Sequence, residues 1–204
     1  MEQPRISIVI NSFNQSKYLE QTILSVLEQD YPNFEILLVD GESTDGSQDI
    51  IKKYGKRFTW WVSEPDQGQA DGINKGLRRA SGVIVAWLNS DDYYLPNTLQ
   101  RVAAAYTENP DASIWYGDVV AVDENGKPFH NIPCARYELT DLMKFKIINQ
   151  PAVFMNGQAL RQSGYLDPTY HYLLDHHLWL RIAARGPMHC SPVIWAAGRY
   201  HANA

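Results

Sequence analysis

The sequence predicts an α/β protein: a mostly parallel sheet with helices on both faces and a mixed-sheet extension. Three observations carry this. Short β-branched runs alternate with helix-spaced apolar runs about every twenty residues, the rhythm of βαβ units. The first of these runs is short and β-branched and reads as a buried strand. After residue 110 the rhythm changes to a long strand followed by a turn, which brings in an antiparallel component.

The elements follow in order. Residues 5–11 (RISIVIN) form a buried strand that stops at Ser12-Phe13-Asn14. Residues 18–29 place Leu19, Ile23, Val26 and Leu27 at helical spacing, and Pro32 closes the helix. Strand 34–40 (FEILLVD), a turn at 41–46, helix 47–54 and strand 58–62 come next. Helix 69–79 leads to strand 83–88, the loop 89–92, and a helix 97–107 opened by Pro96. In the second half, strand 113–122 ends at Asp123-Glu124-Asn125-Gly126, a hairpin signal. A short helix 139–146, a strand 152–155, a helix 175–185 stopped by Gly186-Pro187, and a strand 188–199 complete the chain. No repeat or low-complexity linker divides it. Residues 1–204 read as one domain of two halves, about 1–110 and about 111–204.

The formal charge is −5, from 18 basic and 23 acidic side chains, which argues against a nucleic-acid binder. Two cysteines, Cys134 and Cys190, exclude zinc fingers and a disulfide-dense scaffold but leave one disulfide open. The longest apolar runs are strand-sized, and the N-terminus shows no signal-peptide pattern. A soluble, cytoplasmic protein is expected, with peripheral association at the inner membrane face left open.

Ligands of such sheets bind beyond the carboxyl ends of the strands. Those ends carry Asn11-Ser12, Asp40-Gly41, Ser63-Glu64 and Asn89 to Asp92. The most informative stretch is VIVAWLNSDDYY, residues 83–94. Two adjacent carboxylates repel unless solvated or neutralised, and a divalent cation with substrate phosphates is one remedy. The same pair also suits a turn before the next helix.

Four segments stand out: Ser7-Ile8-Val9-Ile10-Asn11-Ser12-Phe13-Asn14; Val39-Asp40-Gly41-Glu42-Ser43-Thr44-Asp45-Gly46-Ser47; Asn74-Lys75-Gly76 on to Leu88-Asn89-Ser90-Asp91-Asp92; and Leu174-Asp175-His176-His177-Leu178-Trp179-Leu180-Arg181. In this order and spacing they resemble the family 2 glycosyltransferases. The resemblance runs from Ile6 to the C-terminus. It implies a Rossmann-like A-type glycosyltransferase fold and inverting transfer of a sugar from a nucleotide-diphosphate sugar to an acceptor hydroxyl. The donor it implies is a UDP-sugar and the acceptor a carbohydrate or lipid-linked molecule, with Mn²⁺ or Mg²⁺ on the diphosphate, in polysaccharide or glycoconjugate synthesis. Relatives usually continue past the last histidine, so a truncated or minimal core is expected.

The resemblance also assigns roles. Asp92 is the expected metal ligand, with His201 completing the shell, and Asp91 the expected contact to ribose or sugar. Asp40 or Glu42 would read the base; Gly41 stands where many relatives carry a second Asp. Ser12, Asn14, Asp66 and Asn74 would hold the donor. Asp175 would be the general base, with His177 as the alternative because imidazole titrates near neutrality. A zinc site from His171, Asp175 and His176 or His177 is conceivable, although HExxH is absent. Gln150 to Phe154 would line the acceptor side. Trp115, Tyr116 and Asp118 are candidates for a sugar platform, whereas Trp179 reads as core.

Rival readings are a catalytically inactive nucleotide-sugar-binding module and a nucleotidyltransferase. Asn11-Ser12-Phe13-Asn14-Gln15 lacks the basic glycine-rich loop that the latter usually shows. A dinucleotide-dependent oxidoreductase is disfavoured because no GxGxxG follows the first strand.

Overall fold

The computed structural model describes residues 3–170 and 172–202. The first half is a run of parallel crossovers. β1 (Ile6–Ser12), α1 (Ser16–Leu27), β2 (Phe34–Asp40), α2 (Ser47–Tyr54), β3 (Trp60–Ser63), α3 (Gln69–Leu77) and β4 (Ile84–Asn89) follow one another. β5 (Tyr93–Tyr94) and α4 (Thr98–Glu108) lead into the hairpin of β6 (Ile114–Val122) and β7 (Pro128–Ile132). α5 (Leu139–Leu142), β8 (Val153–Asn156), α6 (Gly157–Ser163), α7 (Leu174–Ala183) and β9 (Met188–Arg199) complete the order.

One sheet joins these strands in the order β3-β2-β1-β4-β8-β6-β9-β5, with β7 added beside β6. β3, β2, β1 and β4 are mutually parallel, as are β6 and β9. β8 is inserted antiparallel between β4 and β6, and β5 runs antiparallel to β9. This is the mixed extension that the hairpin signal announces.

The apolar strands have a simple cause. Ile6, Ile8 and Ile10 of β1 enter one core with Leu19, Ile23 and Leu99. Val9, one residue out of phase, enters the opposite core with Ile73, Leu77 and Trp179. Side chains alternate across a strand, so a sheet with helices on both faces needs apolar residues at every position. Gly76 lets α3 lie directly on β1, because a Cβ there would overlap the Val9 side chain.

Several boundaries move from their sequence positions. α4 begins at Thr98, and its N-cap Asn97 takes a left-handed conformation (φ 65°), so Pro96 lies before the helix rather than in its first turn. α5 covers only four residues of the expected eight, ending where Phe145 turns left-handed (φ 58°). α6 has no counterpart in the sequence reading. Its signal was the N-cap Asn156, whose side chain accepts from the Gln158 and Ala159 amides.

The two cysteines are bonded to each other, Cys134 to Cys190, across 56 residues of sequence. Among the described residues, no helix is long and apolar enough to cross a membrane.

Candidate functional site

A cavity of about 600 Å³ opens beyond the carboxyl ends of β1, β2, β3 and β4, at the rim where the sequence places it. β1 supplies Asn11 and Ser12, and Phe13 follows them. β2 leads to Gly41, the β3–α3 loop brings Pro65, Asp66, Gly68 and Gln69, and β4 delivers Asn89 to Asp92. Arg199, from the end of β9, closes the far side.

The Asn89–Asp92 loop is held from two directions. The Thr22 hydroxyl of α1 lies 2.9 Å from the Ser90 carbonyl and 2.6 Å from that of Asp92. The buried Arg199 donates its backbone amide to Asp92 Oδ1 (2.9 Å) and its Nε to the Asp91 carbonyl (2.9 Å). Its remaining nitrogens donate to the Asp123 and Glu124 carbonyls and to Gln21 Oε1, and its guanidinium lies 4.6 Å from the Tyr18 ring centre. Four of the five guanidinium N–H groups of Arg199 thus donate to protein acceptors. Its role here is to fix the acidic loop.

The two aspartates differ in environment. Asp92 is buried; burial, reinforced by the charge of Asp91, pushes its carboxyl far above the ordinary carboxylate range. Asp91 is more open to the cavity, and its Oδ2 lies 3.1 Å from His201 Nε2. Asp91 and Asp92 both line the cavity, Asp92 with one oxygen tied to the Arg199 backbone, while His201 stands behind Asp91 and outside the cavity wall. Among the described residues no three His, Cys, Asp or Glu side chains converge on one point. An Asp–His pair beside an open cavity fits a Mn²⁺ or Mg²⁺ ion that takes its other ligands from a diphosphate and water.

Asp66 and Ser12, two of the expected donor contacts, line the cavity. Asp66 Oδ1 accepts from the Gly68 amide (2.9 Å), whereas Oδ2 receives no hydrogen bond from the described residues. That oxygen sits where a side chain at residue 41 or 72 would otherwise be: a Cβ on Gly41 would lie 2.7 Å from it and one on Gly72 3.0 Å. Ser12 Oγ and Asn11 Oδ1 are buried polar atoms without a protein partner. Buried polar groups are almost always satisfied, so these two atoms mark the cavity floor as a place for a polar ligand.

Four expected donor contacts lie elsewhere. Asp40 is fully buried, and its carboxylate accepts from the Ser43 amide, the Ser43 hydroxyl and the Ser63 hydroxyl. It locks the β2 turn to β3. Asn14, left-handed at φ 52°, accepts from the Thr44 amide and joins the first loop to the second. Glu42 is exposed, also left-handed (φ 63°), and outside the cavity wall. Asn74 is buried and makes a two-way pair with the Leu166 backbone (2.8 and 2.9 Å).

The expected sugar platform is also corrected. Trp115 and Tyr116 are both buried, on opposite faces of β6. The Tyr116 hydroxyl donates to the Ala135 carbonyl, and Asp118 accepts from the Cys134 amide. Gln150 donates to the Trp87 carbonyl and accepts from Asn89, so it braces β4. Trp179 is core, stacked on Trp87 at 5.0 Å.

Asp175 opens α7, and its Oδ1 accepts from the His176 amide (2.7 Å). It does not line the main cavity. A smaller cavity, about 60 Å³, shares Gly68 and Gln69 with the main one and reaches Tyr170 and Leu174 at the start of α7. His177 lies against Tyr170, ring centres 4.2 Å apart; burial first and Arg181 second lower its pKa, so it is neutral at pH 7. His176 is buried and its Nε2 is 3.0 Å from the Leu142 carbonyl. His171 lies outside the described residues. Phe13, Gln15, Gln69, Gly72 and Arg199 are among the wall residues that the sequence reading did not assign; closeness in sequence to Ser12, to Asp66 and to His201 was the available signal.

A parallel β3-β2-β1-β4 half with a polar cavity at its strand ends, continued by a mixed β8-β6-β9 half, is the A-type glycosyltransferase architecture. Staphylococcus aureus TarS 1-349, solved in complex with UDP-GlcNAc, superposes with a TM-score of 0.82 at 20% identity, covering 97% of this chain and 59% of that one. The mannosyltransferase PcManGT of Pyrobaculum calidifontis, in complex with GDP-Man and Mn²⁺, gives 0.73 at 19% identity, covering 97% and 57%. Residues 7–163 match the model of Glycosyl transferase family 2, and the chain belongs to that family. TuaG of Bacillus subtilis (strain 168), named for a role in teichuronic acid biosynthesis, is 32% identical over 190 residues, 90% of this chain and 74% of TuaG. An uncharacterized glycosyltransferase of Rickettsia felis is 26% identical over 211 residues, 98% of this chain but only 35% of that protein.

Proposed function

We propose that the chain transfers a sugar from a UDP-sugar to a hydroxyl of a carbohydrate or lipid-linked acceptor. The transfer proceeds with inversion, depends on a divalent cation, and serves polysaccharide or glycoconjugate synthesis. The observation that carries this reading is the cavity at the strand ends, where unpartnered Asn11 Oδ1 and Ser12 Oγ, Asp66 and the Asp91-Asp92 pair face one space.

The base preference follows from Asp66. One of its oxygens accepts from Gly68, leaving the other without a donor among the described residues, beside the Phe13 ring. Uracil presents one N–H donor on that edge, whereas guanine presents two side by side. A single free acceptor next to an aromatic face suits uracil. Asp91 and Asp92 of the acidic loop, with His201 behind Asp91, would hold the cation, which when bound supplies electrostatic stabilisation to a departing diphosphate. Arg199 and Thr22 keep the acidic loop in place without being consumed by the ligand. Asp175, next in sequence to Leu174 of the small cavity wall, would take the acceptor proton; one carboxylate suffices for a single displacement.

The test is donor turnover with Mn²⁺ across a panel of nucleotide sugars, combined with Asp175→Asn and Asp92→Asn. Asp175→Asn should retain nucleotide binding and lose transfer. Normal transfer would move the base role, with His177 first in line. Metal-dependent binding without turnover in the unaltered chain would instead support an inactive nucleotide-sugar-binding module.

A further inference from the structure

The segment Met143-Lys144-Phe145-Lys146-Ile147 is exposed at all five positions. Met143 is 66% exposed, Phe145 70% and Ile147 53%. Three large apolar side chains in five residues, interleaved with two lysines, is unlike the rest of this surface. Exposed apolar clusters of this kind mark interaction sites rather than idle surface.

The backbone presents the cluster at a cost. Lys146 donates its amide to the Asp141 carbonyl and Phe145 to the Leu142 carbonyl, the helix-ending arrangement whose left-handed position favours glycine. Phe145 occupies that position. A second exposed apolar residue, Leu173, is also left-handed (φ 55°), at the N-cap of α7, beside the 87% exposed Tyr172. The two sites are neighbours: the Phe145 ring stacks on His176 of α7 at 5.8 Å. Backbone strain held at exposed apolar residues points to a function for those residues.

The lysines say what the partner is. Lys144 and Lys146 form no ion pair among the described residues, as is also true of Lys56 and Lys127, whereas Lys17, Lys52, Lys53 and Lys75 do. The nearby acids are engaged: Glu138 and Asp141 form the capping box of α5, and Asp175 accepts from the His176 amide. Aliphatic and aromatic tips flanked by unpaired lysines match a bilayer interface carrying anionic headgroups.

We propose that the 143–147 turn, with Tyr172 and Leu173, docks the chain on an anionic phospholipid bilayer. The docking itself does not depend on the glycosyltransferase reading. One consequence does: α7 and Asp175 would then face the membrane, and the acceptor would be a molecule anchored there.

Vesicle flotation tests this with the full chain and no nucleotide, using phosphatidylcholine alone and phosphatidylcholine mixed with phosphatidylglycerol. Binding is expected to the mixed vesicles only and to weaken with added salt. Each lysine near such a surface contributes about fivefold, so Lys144→Ser with Lys146→Ser should weaken binding roughly twentyfold. Phe145→Gly should weaken it about tenfold or more through loss of the buried ring, yet be at least as heat-stable, because glycine suits the left-handed position. Phe129→Ser, at an equally exposed aromatic of the β6–β7 hairpin, should change nothing. No binding by the unaltered chain, equal binding by the altered ones, or self-association in solution that these substitutions dissolve would overturn the proposal. Soluble-donor turnover, assayed without vesicles, fails or succeeds independently of it.

Discussion

The Asp91 carboxylate meets the His201 imidazole at 3.1 Å although 110 residues separate them in sequence. The ring of His201 also lies 4.9 Å from that of Tyr18, so α1 and the end of β9 together place the histidine over the acidic loop. If this pair holds the cation, His201→Ala should weaken Mn²⁺-dependent nucleotide binding about tenfold or more. Metal-free thermal stability should change little. Isothermal titration with and without Mn²⁺ reads both quantities, and unchanged Mn²⁺ dependence would remove His201 from the site.

Gly41 and Asp66 make a second linked pair. A methyl group at residue 41 would lie 2.7 Å from Asp66 Oδ2 and 3.2 Å from the Phe13 ring. Gly41→Ala should therefore displace the carboxylate and lower UDP affinity about tenfold, the scale of one hydrogen bond to a charged group. Asp66→Ala should do the same, and the double change should cost no more than either alone. Additive losses would show that the two residues act separately.

Asp40 is a structural carboxylate. With three donors directed at it in a buried turn, Asp40→Ala should destabilise the fold by about 3 kcal/mol, measured by urea unfolding. A variant of unchanged stability and poor UDP binding would return Asp40 to base recognition.

Asp45 sets an acid limit. Burial alone would raise its carboxyl, but hydrogen bonds from Ser47 and the Ser16 amide outweigh this and hold it at about 2. In the unfolded chain an aspartate titrates at about 3.9. Because the folded value is the lower one, the stabilisation is present above the unfolded value and disappears as pH falls through the folded one. Thermal melts should thus lose stability between about pH 4 and pH 2, and Asp45→Asn should flatten that part of the profile.

The legible and illegible parts of this protein divide by range. β2, α2 and β9 begin and end where the sequence reading puts them, because local periodicity and flanking glycines or prolines define them. The rim was legible for the same reason: strand ends are local, and their convergence follows from parallel topology. Which side chain faces the cavity was not. Asp40 is turned inward by Ser63, and Asn74 by Leu166, partners 23 and 92 residues away. Trp115 and Tyr116 resembled a sugar platform because nothing in β6 itself reveals that helices cover both of its faces. β5 is two residues long and exists only by pairing with β9.

The Cys134–Cys190 bond has a consequence outside the folded contacts. It makes a covalent ring of the chain that carries α5, β8, α6 and α7, leaving the nucleotide half outside the ring. On the chain-entropy account, closing a loop of 56 residues raises the free energy of the unfolded state by about 4 kcal/mol. The same molecule should melt at a lower temperature in dithiothreitol than in air, with its nucleotide affinity below the transition unaltered. Such bonds persist in oxidising compartments and are rare in the cytoplasm that the sequence suggests. Thiol concentration is then a stability variable for this protein, acting entirely on its unfolded chain.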